Sequence, residues 1–139
     1  MPPTAILETA LYVDDLDAAE HFYVDILGFK KYARVGNRHL FLKLDTQMLL
    51  IFNPQVTMEP SDAQKLPVPV HGTTGDGHVC FTGTATEISD WKGHLEANKV
   101  TIESDFHWPS GGRSIYFRDP SGNSLEFAEP SIWGMGEPD

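Results

Sequence analysis

Three polar residues interrupt short segments that are otherwise largely apolar. Glu8 stands in AILETALYV, His78 in GHVCFTG and Glu126 in NSLEFAE. Successive side chains of a strand point to opposite faces, so if the large apolar neighbours face a core, all three polar residues face the other way. A glutamate between Leu125 and Phe127 is costly to bury unless it is paired. A divalent cation held by all three residues would remove that cost, and the pattern therefore predicts a metal site.

The predicted ligand set contains two carboxylates and one imidazole. Such mixed oxygen and nitrogen donors suit divalent Fe, Mn, Ni or Zn better than a thiolate site would. Three protein ligands leave positions for water or substrate, which is typical of a catalytic metal. Each residue also has an ordinary alternative: Glu8 solvated, His78 hydrogen-bonded in a core, Glu126 paired with an arginine. Their shared strand parity favours the metal, and a ligating carboxylate such as Glu126 can also serve as general base.

Further residues are predicted to contact a substrate. Tyr116 can donate a hydrogen bond to a developing oxyanion, or it is a packed aromatic residue. Arg113 can bind a substrate carboxylate, or it only flanks a hairpin. An apolar wall for a small carbon skeleton is predicted from four residues that face the pocket on two strands: Tyr12, Met48, Leu50 and Phe52.

Composition narrows the class of protein. The 139 residues match about one domain, 1–139, and the 40% hydrophobic content is that of a globular chain. The net charge of -10 disfavours nucleic acid and anionic membranes, which leaves a small-molecule substrate or a cation. A single cysteine excludes an intramolecular disulfide and fits a reducing compartment. With no signal-peptide or transmembrane pattern, we expect a cytoplasmic protein.

The chain repeats one order of elements, strand-helix-strand-strand-strand. We predict strands at 5–13, 29–35, 38–45 and 47–53, a helix from Asp14 to Gly28, then strands at 77–83, 100–106, 112–118 and 123–129 with a helix at 86–98. Asp17 and Glu20 resemble a capping box. The prolines of 54–74 predict a linker without helix that can cover a site as a loop. The fold class is therefore α+β: two βαβββ modules, 5–53 and 75–130, forming a cupped mixed sheet around the metal site.

Three strings extend this prediction from a fold to a family. The opening ETALYVDDLDAAEHFYVDILGF, the central GDGHVCF and the closing SIYFRDPSGNSLEF resemble the vicinal oxygen chelate superfamily. That group includes glyoxalase I, extradiol dioxygenases, fosfomycin resistance enzymes, methylmalonyl-CoA epimerase and bleomycin resistance proteins. The resemblance covers nearly the whole chain and implies a divalent-metal-dependent enzyme acting on a small oxygen-chelating substrate. It leaves a lyase or isomerase and a ring-cleaving dioxygenase open.

The resemblance also assigns roles to individual residues. Glu8 stands at the family's first metal ligand, His78 at the second and Glu126 at the last. Leu50, or Leu49 if the register slips, stands where glyoxalase I and the epimerase carry a further ligand. This departure brings the chain closer to the three-ligand sites of dioxygenases and fosfomycin enzymes.

A dioxygenase-like role is implied for two more residues. Tyr116 precedes Glu126 by ten residues, as the active-site tyrosine of extradiol enzymes does, and His107 stands where those enzymes place a histidine that protonates oxygen intermediates. The chain departs from their signature at Asp105 and by having Glu8, not histidine, as first ligand. The alternative for His107 is an exposed hairpin residue.

The resemblance leaves a second functional class open. Bleomycin-resistance-type proteins bind a cationic small molecule without a catalytic metal, and the negative net charge suits such a ligand. Members of the superfamily pair their modules within one chain or swap them across a dimer. We therefore expect a homodimer, with Ile132 and Trp133 as apolar contacts.

Overall fold

The computed structural model of the chain describes residues 1–60 and 66–136 in two units, Met1–Gly77 and His78–Asp139. Each unit carries one four-stranded mixed sheet with helices, so the predicted α+β class and the two βαβββ modules are confirmed. Part of the predicted linker, 61–65, lies outside the described residues.

Unit one contains four strands and three short helical segments. In chain order they are β1 (Glu8–Tyr12), α1 (Leu16–Glu20) continued by a π-helical segment (His21–Ile26), β2 (Lys30–Val35), β3 (His39–Lys43), β4 (Met48–Phe52) and α2 (Pro54–Thr57). The sheet order is β1-β4-β3-β2, with β1 parallel to β4 and the other pairs antiparallel. The unit's core lies between α1 and one sheet face, where Leu11, Leu40 and Ile51 are buried.

Two local predictions for unit one are wrong. The N-cap of α1 is Asp15, whose carboxylate accepts from the Ala18 amide at 3.0 Å, while Asp17 and Glu20 bind Arg34 instead of forming a capping box. The predicted linker begins with helix α2, because proline at the first helical position loses no intrahelical hydrogen bond and Asn53 caps the Gln55 amide.

Unit two repeats the arrangement. Its elements are β5 (His78–Thr82), α3 (Ala85–Ala97), β6 (Ser104–His107), β7 (Arg113–Arg118), β8 (Ser124–Ala128) and a 3₁₀ turn (Pro130–Trp133). The sheet order is β5-β8-β7-β6, with β5 parallel to β8. A reciprocal capping box of Thr84 and Glu87 starts α3.

Strand β6 begins later than the predicted 100–106. Residues 99 and 100 form the turn that ends α3. Lys99 adopts φ +63° and the Val100 amide donates to the Leu95 carbonyl. The residues after α3 therefore complete a helix end before the chain can pair with β7.

The strand registers give the two modules equivalent positions. Ala10 is paired with Leu50 in unit one, and Cys80 is paired with Glu126 in unit two. Leu50 therefore occupies the position of Glu126, as the repeat predicts, and contributes an apolar side chain where the second module contributes a carboxylate. Among the described residues, no helix is long and apolar enough to cross a membrane.

Candidate functional site

A buried carboxylate lies at the centre of the second sheet. Glu126 is 4% exposed and is paired with Cys80 on β5 and with Tyr116 on β7. His78, two residues before Cys80, brings its Nε2 to 3.3 Å from Glu126 Oε1. The parallel pairing of β5 with β8 thus brings together two of the three predicted ligands.

The backbone determines that the Nδ1 nitrogen of the His78 ring carries a hydrogen. Its Nδ1 lies 2.9 Å from the Ser124 carbonyl oxygen, which can only accept, so Nδ1 carries a proton. In the neutral ring Nε2 then presents its lone pair to the carboxylate oxygen of Glu126. Two electron-rich atoms that face each other need a proton or a cation between them, and a histidine held through Nδ1 by a backbone carbonyl is typical of metal ligands. These donors fit a divalent metal.

The second oxygen of Glu126 is already engaged. Ser114 Oγ lies 2.5 Å from Glu126 Oε2, and Trp108 Nε1 lies 2.8 Å from Ser114 Oγ. Ser114 is fully buried. Only Oε1 of the carboxylate is therefore turned toward His78.

The surroundings of Glu126 keep the side chains of Tyr116 and Cys80 protonated. Burial and the adjacent Glu126 carboxylate raise the pKa of Tyr116 to about 12, and the same two causes raise the pKa of the Cys80 thiol to about 12. Tyr116 is thus a hydrogen-bond donor at neutral pH, and Cys80 is not a thiolate nucleophile. The Tyr116 ring lies between His78 and Phe106, with ring centroids 6.2 and 6.0 Å away.

Glu8 belongs to unit one. It is exposed at the start of β1 and is paired with Met48, on the face opposite the buried Leu11. Across residues 1–60 and 66–136, no three His, Cys, Asp or Glu side chains are grouped so that they could hold a metal. The three-residue ligand set thus stays a prediction.

The predicted apolar wall lies on the same face of the first sheet as Glu8. Leu50 and Phe52 are buried, and the Tyr12 ring centroid lies 6.0 Å from that of Phe52. The Tyr12 hydroxyl is hydrogen-bonded to His71 Nδ1 at 2.7 Å, and the His71 ring lies 4.6 Å from Phe52. His71 comes from the predicted linker, so part of that segment does cover this face.

Two histidines of this face had not been predicted as site residues. His39 is stacked on Phe41 at 3.9 Å, and burial together with Arg38 lowers its pKa. The strand alternation that places Phe41 opposite Leu42 would have identified His39 from the sequence. No sequence pattern marks His71.

His107 and Arg113 do not lie with Tyr116. The register pairs them with each other on the alternate face of the second sheet, the face that carries α3. The Arg113 guanidinium is bound there by Asp105 at 2.9 and 3.0 Å and by Ser89 at 2.7 Å. Both residues therefore lie on the sheet face opposite that of Tyr116 and Glu126, and their roles beside a substrate stay predictions.

Strand alternation explains this difference. Phe106 and Trp108, on either side of His107 in the chain, contact Tyr116 and Ser114 respectively. Trp108 and Ser114 are two residues near Glu126 that the sequence prediction missed. Their even-numbered positions, shared with Tyr116 and Glu126, are the signal that would have found them.

This fold and this arrangement match a known family over nearly the entire chain. The model of the Glyoxalase/Bleomycin resistance protein/Dioxygenase superfamily matches residues 5–127, and the chain belongs to that superfamily. The resemblance found in the sequence is thus confirmed.

Individual relatives are similar to different degrees. A crystal structure described as lactoylglutathione lyase from Agrobacterium tumefaciens is 45% identical, covers 97% of this chain and 100% of its own, and superposes with a TM-score of 0.91. A virulence protein of Salmonella typhimurium is 26% identical over 86% of this chain and 79% of its own length. The crystal structure of that protein superposes with a TM-score of 0.67 and covers 93% of this chain and 98% of its own.

Proposed function

We propose that the protein is a divalent-metal-dependent enzyme of the lyase or isomerase type, acting on a small substrate that chelates the metal through two oxygens. The observation that carries this proposal is the pair of donors in unit two, His78 Nε2 and Glu126 Oε1, with the histidine proton held by the Ser124 carbonyl. Divalent Fe, Mn, Ni and Zn all accept this donor chemistry.

Glu8 is kept as the proposed third ligand. A bound metal would supply Lewis-acid polarisation of the substrate oxygens. The hydroxyl of Tyr116 would donate a hydrogen bond to the substrate oxygen that gains negative charge, since its raised pKa keeps it protonated. The proton that moves would be carried by a carboxylate, Glu8 or Glu126 through its Oε1, because Ser114 already occupies Oε2.

Two observations favour proton transfer over oxygen chemistry. The Agrobacterium relative, 45% identical, is described as a lactoylglutathione lyase. In addition, His107, which a dioxygenase would need beside the substrate, is paired with Arg113 on the α3 face of its sheet. The hemithioacetal of methylglyoxal and glutathione is therefore the first substrate to test, although Leu50 replaces the further ligand of glyoxalase I.

The test combines metal content with activity. We expect elemental analysis of the purified protein to find one divalent metal per chain, and we expect turnover of the hemithioacetal to be lost on chelation and restored by Mn, Ni, Zn or Fe. Ring cleavage of a catechol without hemithioacetal turnover would assign the dioxygenase class instead. Failure to bind any of the four metals would contradict the proposal and favour the metal-free protein that sequesters a cationic small molecule.

A further inference from the structure

We propose that Trp108 is a positioning residue that orients Glu126 through Ser114, so that the carboxylate oxygen Oε1 faces His78. This role rests on the proposed function in one respect, that the ligand of Glu126 is a divalent metal. Trp108 lies outside β6 and touches neither His78 nor Glu126 in a direct hydrogen bond; its contact is the Ser114 hydroxyl at 2.8 Å.

The direction of each proton follows from the chemistry of the groups. An indole N–H can only donate, so Ser114 Oγ accepts from Trp108. The single proton of the hydroxyl is then directed at Glu126 Oε2, at 2.5 Å, as an ionised carboxylate can only accept. Without Trp108, the hydroxyl would lose its fixed acceptor direction and could rotate away from the carboxylate.

Burial gives this relay its strength. Ser114 is fully buried and Glu126 is 4% exposed, so water does not readily replace a lost partner. Hydrogen bonds to a charged group in a poorly solvated place are stronger than those at the surface. The relay therefore holds Oε2 and leaves Oε1 facing His78 at 3.3 Å.

The hairpin between β6 and β7 holds the indole in place. The Trp108 amide donates to the Gly112 carbonyl and the Gly111 amide donates to the Trp108 carbonyl, both at 2.9 Å. Gly112 adopts φ +90°, and a Cβ there would lie 2.6 Å from Ile132 Cγ2. Glu129 accepts from the next amide, that of Arg113, at 2.7 Å. The turn thus packs against the segment that directly follows β8, the strand that contains Glu126.

The experiment uses Trp108→Phe, which keeps an aromatic ring and removes the donor. Trp133→Phe is the matched control, because Trp133 is 79% exposed. Titration with Mn(II), Ni(II) and Zn(II) should give roughly 10-fold weaker binding for Trp108→Phe and unchanged binding for the control, as expected for outer groups that orient a ligand. Because Trp108 acts through Ser114, Ser114→Ala combined with Trp108→Phe should bind no more weakly than Ser114→Ala alone.

A second readout needs no metal. The indole N–H resonance of Trp108, assigned from its disappearance in Trp108→Phe, should shift in Glu126→Gln and in Ser114→Ala, while the Trp133 resonance stays. A Trp108 resonance that is unmoved in Glu126→Gln overturns the relay, and so does wild-type metal affinity in Trp108→Phe. If the parent protein binds no metal but the resonance shifts as expected, the relay stands and the proposed function fails.

Discussion

At the scale of single residues, the Glu126 carboxylate governs the chemistry of its neighbours. It faces the Nε2 of His78 and accepts a hydrogen bond from the Ser114 hydroxyl. Together with burial, which is the larger cause, it raises the pKa values of Tyr116 and Cys80. Burial and the Glu126 carboxylate together thus keep Tyr116 and Cys80 protonated near neutral pH.

Removing that charge gives the first prediction. Glu126→Gln preserves the side-chain volume but removes the anionic donor, so affinity for Mn(II), Ni(II) and Zn(II) should fall by at least about 100-fold. Calorimetric titration measures it, with Glu96→Gln on the exposed part of α3 as control. Equal affinity in Glu126→Gln and the parent would place the metal elsewhere.

At the scale of elements, strand alternation separates residues that are neighbours in sequence. His107 lies on the α3 face, whereas Phe106 and Trp108 contact residues of the Glu126 face. We therefore expect His107→Asn to leave turnover of the hemithioacetal unchanged, while Tyr116→Phe lowers it by about 10-fold or more through the lost donor. Initial rates at saturating metal measure both. A large loss of hemithioacetal turnover in His107→Asn would contradict the inference that His107 lies outside the site.

The contact between α3 and the β6–β7 hairpin gives an electrostatic prediction. Hydrogen bonds from Arg113 and Lys92 hold the pKa of Asp105 well below its usual value. Because the folded-state pKa is depressed, the stabilisation is present above about pH 4, the pKa of an unfolded aspartate, and is lost as the pH falls further.

The corresponding variant is Asp105→Asn. It should lower the free energy of unfolding by about 1 kcal/mol at pH 7, a modest value since the pair is partly solvated. Denaturant titrations should show the difference shrinking below about pH 4. Asp90→Asn, an exposed position on α3, is the control; a difference that persists at low pH would contradict the assignment.

At the scale of the whole molecule, apolar surface and charge point to different partners. Trp133 is 79% exposed and Met135 is 67% exposed, two residues apart in the segment after β8. Large exposed apolar side chains at one place are typical of interaction sites. The net charge of -10, in contrast, favours cations over anionic partners.

We predict a homodimer that uses this segment. Light scattering should report twice the 15.5 kDa of the chain at micromolar concentration. Trp133→Ser should shift the protein toward the monomer, while Tyr32→Ser, at another exposed aromatic residue, should not. A 15.5 kDa particle for the parent at that concentration would contradict the prediction.

The sequence by itself predicted the repeat, most of the element types and, within each unit's sheet, the face on which Glu8 or Glu126 lies. These are local properties, since alternation with period two and a glycine such as Gly28 with φ +81° after the first helix act over a few residues. The family followed from strings that are also continuous in the chain.

Only the tertiary structure decided which of these residues meet. The parallel register of β5 and β8 brought His78 to Glu126, and the hairpin register brought Trp108 to Ser114 while turning His107 and Arg113 to the other face. Asp15 caps helix α1, while Asp17, inside the helix, pairs with Arg34 of strand β2. Strand pairing and ion pairing join distant parts of the chain, and a one-residue change of register reverses every face, so the local pattern does not determine them.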